Sequence, residues 1–195
     1  SRVFNGVTLQ LYHGFEWASM TYSAAYRGFD TVNREDEDGT NRINLYLDTA
    51  NVEDNSSFYQ ELKFNGMAGP VDWVAGASWY SEDAEQSSFV NTYTDTIDTI
   101  YNNVIGFPLF TVLEGTMQGY GIPATVFGST WSEPMHNTLK STAVAAFGDA
   151  IWHVTDRLNL TFGLRYTRDE KEFSWFNGPR IADDLDATLA FLDSP

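Results

Sequence analysis

The chain has 195 residues, enough for one ordinary domain, and its 43% hydrophobic and 15% aromatic content argues against wholesale disorder. It contains no cysteine, which excludes a disulfide framework and any thiolate metal site. A formal net charge of −16 is the reverse of what phosphate neutralisation needs, so nucleic acid is excluded as a partner.

Six segments alternate apolar and polar residues with a period of two, the pattern of an extended strand with one greasy and one wet face. The first runs over about 6–15 (GVTLQLYHGF) and the second over about 18–28 (ASMTYSAAYRG), with only Glu16-Trp17 between them. The third, 56–65 (SSFYQELKFN), and the fourth, 71–81 (VDWVAGASWYS), flank a turn over 66–70. The fifth, 141–154 (STAVAAFGDAIWHV), and the sixth, 158–168 (LNLTFGLRYTR), flank Thr155-Asp156-Arg157. Each pair predicts a hairpin with a short connection.

Connections between hairpins are long, and most of the 27 acids lie in three stretches, 28–56, 81–136 and 169–195. The charge is thus predicted to belong to loops. Within the second stretch, TDTIDTIYNNVI places Ile97, Ile100, Tyr101 and Val104 at helical spacing, and IADDLDATLAFLDSP does the same with Leu185, Leu189 and Leu192. Both are read as short loop helices, with irregular loop as the alternative.

The apolar parity is free of charge. It carries Ala18, Met20, Tyr22, Ala24 and Tyr26, then Trp73, Ala75, Ala77 and Trp79, then Val144 to Trp152 and Leu158 to Tyr166. Aromatic residues gather at both ends, which predicts two lipid-facing girdles made by Trp73 and Trp152 near the short turns and by Tyr26, Trp79 and Tyr166 near the loops. Small residues such as Ala75, Ala77, Ala146 and Gly148 suit lipid tails better than a packed sandwich core.

The opposite parity carries Thr8, Gln10, Ser19, Thr21 and Arg27, with Glu61, Lys63, Asp149 and Arg165 predicted to face an aqueous lumen. His13 and Gln60 break the apolar parity, and a bulge or a place beyond the hydrocarbon band would reconcile them. The fold predicted is all-β: an antiparallel transmembrane β-barrel segment of about six strands in three hairpins, with long extracellular loops containing short helices. A soluble sandwich is the competing architecture.

Particular stretches resemble a known family. SSFYQELKFNG followed by VDWVAGASWYSEDAEQ resembles paired barrel strands of TonB-dependent outer-membrane receptors. AAFGDAIWHVTDRLNLTFGLRYTRDEKEF is similar to that family's hairpin with a "TDRL" periplasmic turn, and AAYRGFDTVNREDEDGT resembles its "AYR.FD…D.DGT" stretch. The resemblance spans about 6–175. It implies a barrel of roughly 22 strands around an N-terminal plug domain, importing a scarce nutrient such as a ferric siderophore, cobalamin or a glycan with energy relayed by TonB. Residues 1–195 are then expected to be an internal part of such a barrel domain, without the plug or the barrel's C-terminus. SRVFNG also lacks the basic start and apolar stretch of a signal peptide, and no stretch approaches the ~20 apolar residues of a membrane-spanning helix.

The implied partners are outer-membrane lipid, the plug domain, TonB and a small-molecule ligand such as a metal chelate, and the implied location is the bacterial outer membrane. No cofactor is expected and no catalysis, because neither G-x-S-x-G nor H-E-x-x-H nor a phosphate-cradling glycine loop occurs. REDEDGTN fails as a calcium loop: its first position is Arg34 and its twelfth is Leu45. His13, His136 and His153 lack ligand spacing, so no metal site is assigned and His153, beside the TDRL turn, is read as structural.

Aromatic residues of the long second loop are the candidate ligand contacts, chiefly Tyr93, Tyr101, Tyr120 and Trp131, with Phe107, Phe110 and Phe127 beside them. Packing of that loop against itself is the competing role. Arg165 is expected to pair with Glu61, Asp149 or a plug residue. Two other functions remain open at this level: a soluble all-β carbohydrate- or ligand-binding module, and a plugless passive porin.

Overall fold

The computed structural model describes residues 1–190. Six strands, β1 (Arg2–Gly14), β2 (Ser19–Asp36), β3 (Leu47–Ala68), β4 (Val71–Tyr93), β5 (Thr130–Thr155) and β6 (Leu158–Asn177), form one antiparallel sheet in sequence order. Between β4 and β5 lie α1 (Thr94–Ile105) and α2 (Leu109–Gly119), and α3 (Asp183–Leu189) follows β6. The sheet is not closed: β1 and β6 are its two edges. No described helix is long and apolar enough to cross a membrane.

Tight turns gather at one end. Phe15 N donates to Ala18 O at 2.7 Å between β1 and β2. Gly69-Pro70 joins β3 to β4, with Gly69 at φ +59, a left-handed geometry that glycine adopts without steric cost. Asp156-Arg157 joins β5 to β6 beside the sheet's one register shift, at His153/Thr155. The β3–β4 turn is thus tighter than the 66–70 linker expected, since Gly66, Met67 and Ala68 are still paired with β4.

The strands run far past the alternating segments. β2 continues through Asp36, β4 through Tyr93, β5 begins at Thr130 and β6 ends at Asn177. Much of the acid assigned to loops therefore lies on strands, and the true β2–β3 connection is only residues 37–46. Alternation reports a contrast between two faces and not extension itself. Beyond Tyr26, Phe58 and Trp79 both faces mix polar and apolar residues, the contrast fades, and the ladder continues unseen in the pattern.

Apolar packing is concentrated at the end away from the tight turns. Phe110, Met117, Val126, Ala182 and Leu185 are buried together, with Ile97, Leu113, Ile122 and Trp131 packed around them. This cap joins α1, α2, the 120–128 segment and α3. Among the described residues the only buried apolar residue within the strands is Ala145, with Ala18 buried at the β1–β2 turn, both small. The surface totals 13227 Å², against ~9,300 Å² for a compact protein of this size. A single-layer sheet with two open faces accounts for the excess.

Of the expected helices, TDTIDTIYNNVI is α1 almost residue for residue. α3 carries Leu185 and Leu189, while Leu192 lies outside the described residues. α2 was not anticipated. Its signal was present in Phe110, Leu113 and Met117 at i, i+3 and i+7 after Pro108, diluted by Gly115 and the β-branched Thr111 and Val112.

Candidate functional site

Cross-strand register decides which side chains share a face. Tyr22 faces Leu62, Leu62 faces Ala77, Ala77 faces Ala146 and Ala146 faces Tyr166, so one row crosses from β2 to β6. The row nearer the turns runs Met20, Phe64, Ala75, Gly148, Leu164, and the next row contains Trp73, Ala150 and Phe162. The alternating segments thus merge into one apolar field. It ends sharply. Past Tyr26, Phe58, Trp79, Val144 and Tyr166 the same face turns to Asp30, Asp54, Asp83, Lys140 and Arg168.

Trp73, Trp79, Trp152 and Tyr166 all lie on this face, at its two margins. The turn-side margin is richer in aromatics than alternation indicated. Phe15 stacks on Trp17 (5.7 Å), and Trp17 stacks on both Phe64 (6.1 Å) and Trp73 (6.2 Å, 13° between planes). Trp73 lies across Gly66, where an added Cβ would come within 2.7 Å of its ring and 2.8 Å of the Trp17 carbonyl oxygen. Only glycine leaves room for that ring, a cross-strand cover of the kind that restores packing at a bare strand position.

No bulge rescues His13 or Gln60, because the register around both is continuous. His13 sits at the turn-side end against Phe15 (4.5 Å, edge-on). Gln60 stays within the apolar field and accepts a hydrogen bond from Tyr22 Oη at 2.8 Å. The polarity is met across the strand instead of being moved off the face.

Glu61, Lys63, Asp149 and Arg165 share the opposite face. Arg165 is not paired with Glu61 or Asp149 as expected. Its guanidinium lies 5.5 Å from the centre of the Phe147 ring, and Nε donates to Thr167 Oγ1 at 3.2 Å. Phe147 in turn covers Gly76, whose added Cβ would fall 2.6 Å from the ring. Glu61 accepts from Tyr59 Oη at 2.8 Å, and Asp149 leans over Gly163. Arg165 is thus held by the Phe147 ring and Thr167, and not by an ion pair.

The candidate aromatic contacts are dispersed. Tyr93 ends β4 and packs edge-on against Tyr46 at 5.2 Å. Tyr101 is on α1, and Tyr120 closes α2 at 83% exposure. Trp131 packs against the cap core beneath Arg180, whose guanidinium lies 4.7 Å from the ring, and gives its indole N–H to Glu133 at 2.6 Å. Phe110 and Phe127 belong to the cap's packing, which is the role that competed with ligand contact. These residues do not converge on one hollow.

REDEDGTN closes β2 to β3. Asp36 Oδ1 accepts from the Asp38 and Gly39 amides, Asp38 Oδ1 from the Thr40 amide (2.8 Å) and hydroxyl (2.6 Å), and Asp38 Oδ2 from the Leu47 amide (2.6 Å). The Thr40 hydroxyl and the Leu47 amide hold the Asp38 carboxyl below its ordinary pKa. Tyr46, donating to Asp48, is pushed up to about 12. The acids thus serve as caps for backbone N–H groups. Of the histidines, His153 braces the β5–β6 turn, with Nε2 2.8 Å from Asp72 and Nδ1 2.9 Å from Asn159.

A hollow that sequence reasoning missed opens on the polar face, between the level of the field's edge and the cap. It measures 320 Å³ and is lined by Phe29 and Phe173, by Glu53, Asn55, Gln86 and Asn137, and by Ala84 and Leu139. All these residues lie in strand extensions that were read as loops, where no face could be assigned to them. A second, shallower hollow of 570 Å³ on the apolar face is floored by Ala77 and Ala146 and includes the Tyr22–Gln60 pair. No protein-family model matches the chain, and neither does any curated protein.

Proposed function

We propose that the chain is part of the wall of a bacterial outer-membrane β-barrel of the TonB-dependent receptor kind, with the apolar face on lipid and the opposite face on an aqueous lumen. The observation that carries this reading is the bounded apolar field. On β4 and β5 it spans about nine residues, ~27 Å along a strand, or ~20 Å when strands tilt by ~40°. That approaches the ~25 Å apolar band of such barrels. Small residues in its centre, aromatics at both margins, short turns at one end and a folded cap at the other agree with it. Among the described residues no second sheet covers either face, which a sandwich requires.

In this reading the open β1 and β6 edges pair with further strands of the barrel. The cap and outer strand extensions meet a scarce small-molecule nutrient, and a plug domain and TonB supply gating and energy. Transport, and not catalysis, is the proposed activity. The test uses the full-length protein. It should float with outer-membrane vesicles, migrate faster unheated than boiled on a denaturing gel, and be clipped by external protease within 94–129 on intact cells. A monomeric protein that stays folded without detergent would overturn the proposal.

A further inference from the structure

The 320 Å³ hollow on the polar face has a composition with its own chemical meaning. Glu53, Gln86 and Asn137 face one another across β3, β4 and β5, forming a polar row. Asn137 Nδ2 donates to Gln86 Oε1 at 3.3 Å, and Gln86 Nε2 donates to Glu53 Oε1 at 2.9 Å. Each primary amide has a second N–H beyond the one so used, and the carboxylate has further lone pairs. The row is incomplete by itself: Asn137 Oδ1 is buried without a partner among the described residues. Phe29 and Phe173 supply apolar ring faces, and Ala84 makes the floor shallow.

We infer that this hollow binds a neutral polyhydroxylated ligand, a saccharide, stacked on Phe29 or Phe173 with its hydroxyls hydrogen-bonded to Glu53, Gln86 and Asn137. This rests on the transport reading, which makes the polar face the lumen. A sugar ring offers apolar C–H faces and an edge of hydroxyls that both donate and accept, which matches a lining of aromatic rings beside amides and a carboxylate. A hydroxyl donating to Asn137 Oδ1, as that amide turns toward the hollow, completes the row. An anionic metal chelate fits poorly. The lining holds three acidic residues, Glu53 on this face and Asp54 and Glu85 on the opposite strand parity, and no Lys or Arg, the nearest cations on this face being Arg27 and Lys171 one row toward the field's edge, neither in the lining.

The test is calorimetric titration of the purified full-length receptor in detergent with malto-, cello-, xylo-, manno- and chitohexaose. A ferric tris-catecholate and spermidine serve as the anionic and cationic probes. At least one hexasaccharide should bind. Gln86→Ala and Phe173→Ala should each weaken it about tenfold or more, while Met67→Ala at the tight-turn end of β3, far from the hollow, leaves it unchanged. Heat-modifiable migration reports folding, and Gln86→Ala alone decides if Phe173→Ala does not fold. Absence of binding by every hexasaccharide, binding unchanged by both variants, or variant-sensitive binding of only the catecholate or spermidine would overturn the inference. Saccharide binding by a protein that does not float with vesicles would instead overturn the membrane reading and leave the hollow's chemistry standing.

Discussion

The two ends of this sheet handle apolar side chains in opposite ways. Toward the tight turns, Phe162 and Leu164 on the edge strand β6 lie 61% and 81% exposed in a field of like residues, covered by nothing among the described residues. At the far end, Phe110 is 3% exposed, enclosed by Met117, Val126, Ala182 and Leu185. The cap solves the burial problem within its own sequence, as any water-soluble protein must. The field is covered by no second sheet among the described residues. If the field faces lipid, as proposed, the contrast marks a change of solvent along one continuous set of strands.

Substitutions that respond differently at the two ends would break or sharpen that contrast. The largest effect is expected from Phe162→Arg in the full-length protein, at ~2–4 kcal/mol of destabilisation if its site faces mid-bilayer. Phe176→Arg, on the same face and strand but past the field's edge, should stay within ~0.5 kcal/mol. Denaturant unfolding in lipid vesicles measures both, and equal costs would erase the boundary.

Next is Asp98→Ala in the cap. The Asp98 carboxylate, on α1, accepts from the amides of Phe110 (2.6 Å) and Thr111 (3.1 Å) and from the Thr111 hydroxyl (2.7 Å), closing the start of α2. Its loss should cost ~1–3 kcal/mol, confined to the cap and visible as faster amide exchange over 109–119 with the strands unaffected.

Two glycine substitutions should have opposite signs. Gly66→Ala forces Trp73 and the Trp17 backbone apart and should cost ~1–3 kcal/mol, with altered tryptophan fluorescence. Gly115→Ala, in α2 with nothing within 4 Å of the added Cβ, should stabilise the cap by ~0.5–1 kcal/mol. A common sign would mean that the two regions are not packed as described.

The smallest effect is a pH response of the β2–β3 closure. The folded Asp38 carboxyl titrates below its ordinary value, so its contribution is present above the unfolded pKa of about 3.9 and is lost as pH falls through the lower folded value. Amide exchange at Thr40 and Leu47 should accelerate over that acidic window, and Asp38→Asn should remove the transition.

Alternation in 18–28, 71–81 and 158–168 made the faces of β2, β4 and β6 legible, because within the field the two sides meet different surroundings at every residue. Helical spacing of Ile97, Ile100, Tyr101 and Val104 did the same for α1. The upper strands were illegible for the converse reason. Phe29, Glu53, Gln86, Asn137 and Phe173 sit where each face mixes polar and apolar residues, so no period separates strand from loop, and only pairing with neighbours distant in sequence keeps them extended. The sequence by itself therefore determined the all-β class, the hairpin pairs and the apolar parity, all of which are local consequences of side-chain period. Tertiary structure decided the strand lengths, the meeting of Trp17 with Trp73, the placing of Arg165 over Phe147 and the hollow between Phe29 and Phe173. Each of these depends on cross-strand register, which sums many backbone hydrogen bonds that no local pattern records.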